Sequence, residues 1–261
     1  MTIRRRLTLF FYYFKINIKS LNVYDRDFIF GVLSMIITYI SGILSLFFIF
    51  EFVDNINGWS LYEILFMYGL NLIGYSLWSC FFINTISLPY YIKNGEFDRF
   101  LLRPIDPIFQ IMMDGFDEDA WGELVVGIAV LMYSWINMDI SLAYIWIIPI
   151  LSISACFIYA GTSILLSTVS FFTISHSNVA NLTSDIKQFS QYPLTIYPKA
   201  VQFIFTLIIP IAFVSFYPSM LLFGYISTWF FLVIPFVSFF YYNATKKIWT
   251  TGSKHYGGTG T

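Results

Sequence analysis

The chain has 261 residues, of which 58% are hydrophobic and only 11% charged, against about 25% charged in an ordinary soluble domain. That balance excludes a soluble globular protein and predicts an integral membrane protein. Its polar intervals, at most about 30 residues, fall below the size of a domain with its own core. The net charge of -1 says little, because in a membrane protein the position of each sign decides.

Residues 4–22 predict an amphipathic interfacial helix. Leu7, Phe10, Phe11, Phe14, Ile18 and Leu21 recur at helical spacing, and Arg4, Arg5, Arg6, Lys15 and Lys19 suit the anionic headgroups of a cytosolic leaflet. No short apolar core with a small-residue cleavage site follows, so this segment is expected to stay on the protein. Residues 28–50 are uncharged and meet the roughly 20 residues that a hydrocarbon core requires, and residues 64–92 form a second such run, long or tilted. Between 93 and 113 the chain turns charged and is broken by prolines. Gly95 interrupts the apolar run, and 96–103 predicts a short amphipathic helix with Glu96, Arg99 and Arg103 on one side and Phe97, Phe100 and Leu101 on another. Pro104 stops it, and Asp106 before Pro107 predicts an N-cap opening a second short helix over 108–113.

Asp114, Asp117, Glu118, Asp119 and Glu123 stand at the head of the next apolar segment, where acids complement a helix dipole. A third crossing over 121–138 and a fourth over 142–172 follow, with a kink expected at Pro149. Residues 173–198, with His176, Asp185 and Lys187, predict a polar loop. His176 has no second ligand at metal-binding spacing, and no metal site is expected. The fifth and sixth crossings are expected over 198–215 and 225–245. Pro210 breaks the fifth, and the apolar turn between them, with Tyr217, Pro218 and Gly224, dips back into the membrane. Residues 251–261 read as a flexible glycine-rich tail, so that 1–250 form a single membrane domain. Cys80 and Cys156 fall in apolar runs and read as small buried hydrophobes.

The fold class is therefore all-α, with six transmembrane helices. All 14 Lys and Arg fall before the first crossing, in the 93–113 stretch, in the loop after the fourth crossing, or after the sixth. The positive-inside rule then puts both termini in the cytosol. The spans hold essentially no charge, which counts against ion-coupled transport. Metalloprotease, serine-hydrolase and phosphate-loop motifs are missing from the sequence, so the chain is expected neither to be an enzyme nor to bind ATP in that way.

The string Lys93-Asn94-Gly95-Glu96-Phe97-Asp98, then Leu101-Leu102-Arg103-Pro104 and Pro107, resembles the first cytosolic loop of ABC type-2 exporter permeases. Tyr192-Pro193-Leu194-Thr195-Ile196-Tyr197, continuing through Ile209-Pro210-Ile211-Ala212-Phe213 to Tyr217-Pro218, resembles their later segment. The resemblance implies a multi-pass permease of the bacterial cytoplasmic membrane, paired with a second six-span permease, alike or different. It also implies a separate cytosolic ABC ATPase dimer that holds ATP and Mg, with no cofactor in this chain and no nucleic-acid partner. Gly95, Glu96, Phe97, Asp98, Arg99, Arg103, Pro104 and Asp106 would form the coupling helix and its flanks, acting on the second and third spans, and Pro210, Tyr217 and Pro218 the outer gate. A charge-free, aromatic-rich interior favours an apolar or amphipathic cargo. The alternative is a passive channel or a membrane scaffold docking an unrelated cytosolic partner.

Overall fold

The computed structural model describes residues 8–16, 25–138, 140–172 and 178–257. Among these the regular structure is helical, relieved by a single isolated bridge between Ile56 and Trp59. That bridge closes a tight turn in which Asn57 and Gly58 take φ of 54° and 86°, a conformation open to Asn and Gly at little cost.

Helix α1 covers 8–16 and α2 Asp25–Phe50. Helix α3, Leu61–Phe82, opens on a capping box in which Ser60 and Glu63 bond each other's backbone amides. It continues through a 3-10 turn, Ile83–Ser87, into α4, Leu88–Lys93. Two short helices follow, α5 at Asp98–Leu101 and α6 at Pro107–Met113. Helix α7 is Ala120–Ile136, and α8 is Ile148–Thr168 after a 3-10 lead at Leu142–Ile147. Pro149 occupies the first turn of α8, where its missing N–H is no loss, so it starts the helix rather than kinking it.

Helix α3 is apolar all round and buried on nearly every side, so it forms the centre of the bundle. Helix α7 crosses it at two glycines. A Cβ on Gly69 would come 2.9 Å from the Leu131 backbone nitrogen, and one on Gly127 would come 2.9 Å from Leu72 Cβ. Gly74 gives α8 the same access, since a Cβ there would meet Ala155 Cβ at 2.5 Å. Small residues thus set the close helix approach that hydrophobic burial does not drive between helices in lipid. Phe28–Phe50, Leu61–Lys93 and Leu142–Phe171 are each long and apolar enough to cross a membrane. A bent helix pair raises the number to four, and α7 is a shorter apolar helix.

The region after α8 departs most from expectation. Residues 179–189 are not loop but a helix, α9 (Val179–Phe189). Its start lines a cleft with Ile86, Pro89 and Lys93, at the end of the bundle holding α4. Thr195 lies at the opposite end, bonded through its carbonyl by Asn57 Nδ2 at 3.0 Å and through its hydroxyl by Trp59 Nε1 at 2.9 Å. The chain therefore passes from one end of the bundle to the other between 178 and 195, about 25 Å at helical rise, where the sequence predicts a loop. We call the α4 end basal and the Trp59 end distal.

Helix α10, Lys199–Phe203, extends as a π turn over Ile204–Ile208 and breaks at Pro210. A 3-10 turn and α11, Phe216–Leu222, follow at 75° to it. Proline denies Ile209 helical backbone, and Ile209 is extended at φ -118°. The pair returns to the end it left. Phe216 and Tyr225 pack on Trp59 at 5.7 and 5.9 Å, and the Tyr225 hydroxyl donates to Glu63 Oε1 at 2.6 Å. The stretch 198–215, expected as the fifth crossing, is half of this hairpin. Helix α12, Phe230–Gly252, then runs back to the basal end, beginning and ending later than the expected 225–245. Residues expected in a loose tail instead form a 3-10 turn, Ser253–His255, followed by Tyr256, whose ring lies 4.9 Å from Phe97.

Candidate functional site

The basal element from Leu88 to Met113 is built on its own apolar cluster, separate from the main core. Leu88, Tyr91, Phe97, Phe100, Ile108 and Ile111 pack with Ile164 and Phe171 of the α8 end and Trp249 of α12. Gly95, at φ +70°, turns the chain so that Phe97 can enter this cluster. Phe97 is fully buried, with ring centroids 5.4 Å from Phe171 and 6.3 Å from Trp249. Gln110 holds the far side of the loop, donating from Nε2 to the carbonyls of Phe100 at 2.9 Å and Ile105 at 2.8 Å.

The helix expected over 96–103 is shorter, Asp98–Leu101, and its faces differ from the expectation. Phe97 and Phe100 are inside, but Leu101 is 47% exposed and Leu102 85%. Leu101, Leu102, Arg103 and Pro104 make an exposed knuckle, with Asp98 and Arg99 exposed beside it. Glu96 is half-buried at its edge. Arg99 is pinned across the loop, with Nη2 2.6 Å from Asp114 Oδ2 and its guanidinium over the Phe100 ring at 4.7 Å. Asp106 occupies the N-cap position, but its side chain makes no cap bond. It pairs instead with Lys246 of α12 at 3.1 Å. The element is thus braced against α8 and α12, a linkage the sequence reading missed.

A second polar group lies inside the bundle. Lys187 Nζ sits 2.5 Å from Glu123 Oε1 with both side chains almost fully buried, at 6% and 3% exposure. Nζ also donates to the Tyr39 hydroxyl at 2.6 Å and lies 3.8 Å from the Tyr75 ring centroid. Four helices, α2, α3, α7 and α9, meet at this one cation. One turn away, Asn71 Nδ2 donates to the Tyr159 hydroxyl at 3.0 Å and to the Lys187 carbonyl at 3.3 Å, and Tyr159 and Ser190 hydroxyls lie 2.6 Å apart. The expectation of charge-free spans is therefore corrected: the pattern put Glu123 at a helix head and Lys187 in a loop, and the fold brings both into the core. The available signal was the absence of Gly or Pro from 178 to 192, with Val179, Thr183 and Lys187 at i, i+4 spacing.

Outside the core, partial burial raises the Glu118 and Asp119 carboxyls above their ordinary range, with the carboxylates of Asp119 and then Asp117 adding to the first and that of Asp117 to the second. Asp119 sits against Gly31, where a Cβ would fall 1.8 Å from its Oδ1. Of the interfacial basic residues, Lys15 is exposed on α1, and Arg4, Arg5, Arg6 and Lys19 lie outside the described residues, as does His176. Phe10 and Phe14 of α1 pack on Phe81 and Phe116. Pro210 stands at the hairpin bend, Pro218 is buried in α11, and Tyr217 packs between Phe213 at 4.6 Å and Phe230 at 6.0 Å.

The chain matches a family profile described as ABC-2 family transporter protein over residues 35–260. No curated protein and no solved structure matches it. The matched range takes in the apolar helices, the braced basal element and the distal hairpin alike, and with it the chain belongs to the ABC-2 transporter family, as a multi-pass membrane transport permease.

Proposed function

We propose that this chain is the permease subunit of an ABC exporter in the bacterial cytoplasmic membrane, moving an apolar or amphipathic cargo. A cytosolic ATPase dimer, holding ATP and Mg, drives it together with a second permease of the same or another sequence. The observation that carries the reading is the exposed Leu101–Leu102–Arg103–Pro104 knuckle on a rigid mount of Phe97, Phe100 and Gln110. An apolar tip flanked by charges suits a cleft in a partner, and the mount passes its displacement to α8 and α12 through Phe171, Trp249 and the Asp106–Lys246 pair.

In this reading the crossings are α2, α3–α4, α7, α8, α9 and α12, with α10–α11 re-entrant from the outer side and forming the gate at Pro210, Tyr217 and Pro218. All but two of the 14 basic residues then fall on the basal side or in the segment leading to it. Lys187 is held in the core and Lys199 lies distally, so the basal side is cytosolic with both termini.

Replacing both Glu96 and Arg103 by alanine tests this. Transport should fall while the chain still elutes as a folded species with a nucleotide-binding partner. Normal coupled transport by the double variant, or repeated purification with no nucleotide-binding chain, contradicts it.

A further inference from the structure

Helix α9 has two unlike faces. Val179, Thr183 and Lys187, with Ser190 just past its end, are buried in the bundle, while Asn181, Leu182, Asp185 and Gln188, with Tyr192 beyond, are exposed. Since this segment joins the basal and distal ends, its polar face stands at the depth of the apolar helices around it. A carboxylate at such depth is among the costliest groups to set against hydrocarbon, and it faces a cavity or a partner instead.

A cleft of about 390 Å³ lies on that face, lined by Asp185, Gln188, Phe189, Tyr192 and Tyr197. This volume is in the range of small-molecule sites. Its aromatic wall is fixed: the Phe189 and Tyr197 rings lie 5.6 Å apart, and the Tyr197 hydroxyl donates to the Phe189 carbonyl at 3.0 Å. No basic side chain lines it. Lys187 points to the other side of the helix, into the pair with Glu123, and Lys199 turns toward Gln202 Oε1 at 3.4 Å. The cleft therefore offers one negative charge and several π faces. That combination recognises a cation with apolar bulk, because the carboxylate attracts its charge and the rings attract both the charge and the surrounding hydrocarbon.

We infer that the cleft formed by Asp185, Gln188, Phe189, Tyr192 and Tyr197 binds an amphipathic organic cation, a quaternary or protonated amine or its equivalent, on the route of transport. This rests on the permease reading and narrows its cargo.

The test is equilibrium binding of tetraphenylphosphonium to the full chain in detergent, with the equally bulky anion tetraphenylborate as control. In separate titrations the cation should bind saturably and the anion should not. Asp185→Asn should weaken cation binding about tenfold or more, and Tyr192→Leu should weaken it while leaving the elution profile unchanged. Equal binding of both ions, or an affinity that neither substitution alters, overturns the inference. The wild-type comparison decides even if a variant aggregates. Spontaneous disulfide formation between Asp185→Cys copies that the cation does not slow marks the face as a contact between permeases and also overturns it. Binding needs no ATPase, so failure here leaves the permease reading to its own transport test. Conversely, the Glu96, Arg103 double variant should bind the cation normally.

Discussion

Replacing Lys187 by methionine keeps most of the length of the side chain and removes its charge. Glu123 then faces Tyr39 and Tyr75 without its cation, which in the wild type stands 2.5 Å away with both partners nearly dry. Removing one member of such a pair costs about 3–5 kcal/mol, because the desolvation of the other is no longer offset. Replacing both, as Lys187→Met with Glu123→Leu, should return most of that stability, since two apolar chains of similar volume fill the site without a charge. For a chain of this size a change of 1 kcal/mol moves the melting temperature by roughly 2–4 °C, so the single variant should melt about 10 °C lower and the double variant within a few degrees of wild type. Thermal unfolding of the full chain in one detergent, followed by tryptophan fluorescence, reads this directly. Equal losses in single and double variants, or no loss in the single one, would show that the pair does not hold the four helices together.

Leu102→Asp should leave folding intact, because the side chain is 85% exposed, yet abolish transport-linked ATP hydrolysis in reconstituted vesicles. Unchanged coupling contradicts a docking role for the knuckle. Gln110→Leu strands the carbonyls of Phe100 and Ile105, a loss of about 1–3 kcal/mol. It should speed amide exchange across 96–106 while α3 exchanges as before. Gly127→Val forces branched carbons onto Leu72 and Ile73, and about 1–3 kcal/mol of overpacking should appear as a lower melting temperature that Gly257→Ala, with open space around its Cβ position, does not share. Asp119 and Glu118 have folded-state carboxyls raised by burial, so the folded chain holds those protons more tightly than the unfolded one. Their ionisation opposes folding as pH rises above the ordinary carboxylate range, and the penalty is absent below it. Asp119→Asn should therefore flatten the fall in stability on raising the pH through that window; an unaltered pH profile counts against the half-buried setting of this side chain.

The long apolar helices were legible because composition dictates them: 28–50 and 64–92 carry no charge, and a helix is the cheapest way to satisfy their backbone in lipid. Pro104, Pro107 and Pro210 likewise marked their breaks, because the ring removes a donor wherever it stands. Helix α9 was missed for the opposite reason. Its polar residues read as solvent-facing, and only tertiary packing reveals that Lys187 finds Glu123 across 64 positions of sequence. The same holds for Leu101, which periodicity put on the buried side with Phe97 and Phe100. The helix is a single turn, too short for period to decide a face. The docking of Tyr256 on Phe97 could not be read from a glycine-rich tail, since composition records flexibility and not a distant aromatic partner.

A photo-reactive or thiol probe at position 102 reports which side of the membrane the knuckle occupies and what it touches, because Cys80 and Cys156 are buried and stay silent. In membranes from cells that carry the full transporter, Leu102→Cys should cross-link to a nucleotide-binding chain, with a yield that changes when ATP is added, and should resist an impermeant maleimide applied to intact cells. Ready labelling from outside the cell, with no nucleotide-binding partner captured, would place the knuckle on the wrong side of the membrane and contradict the account.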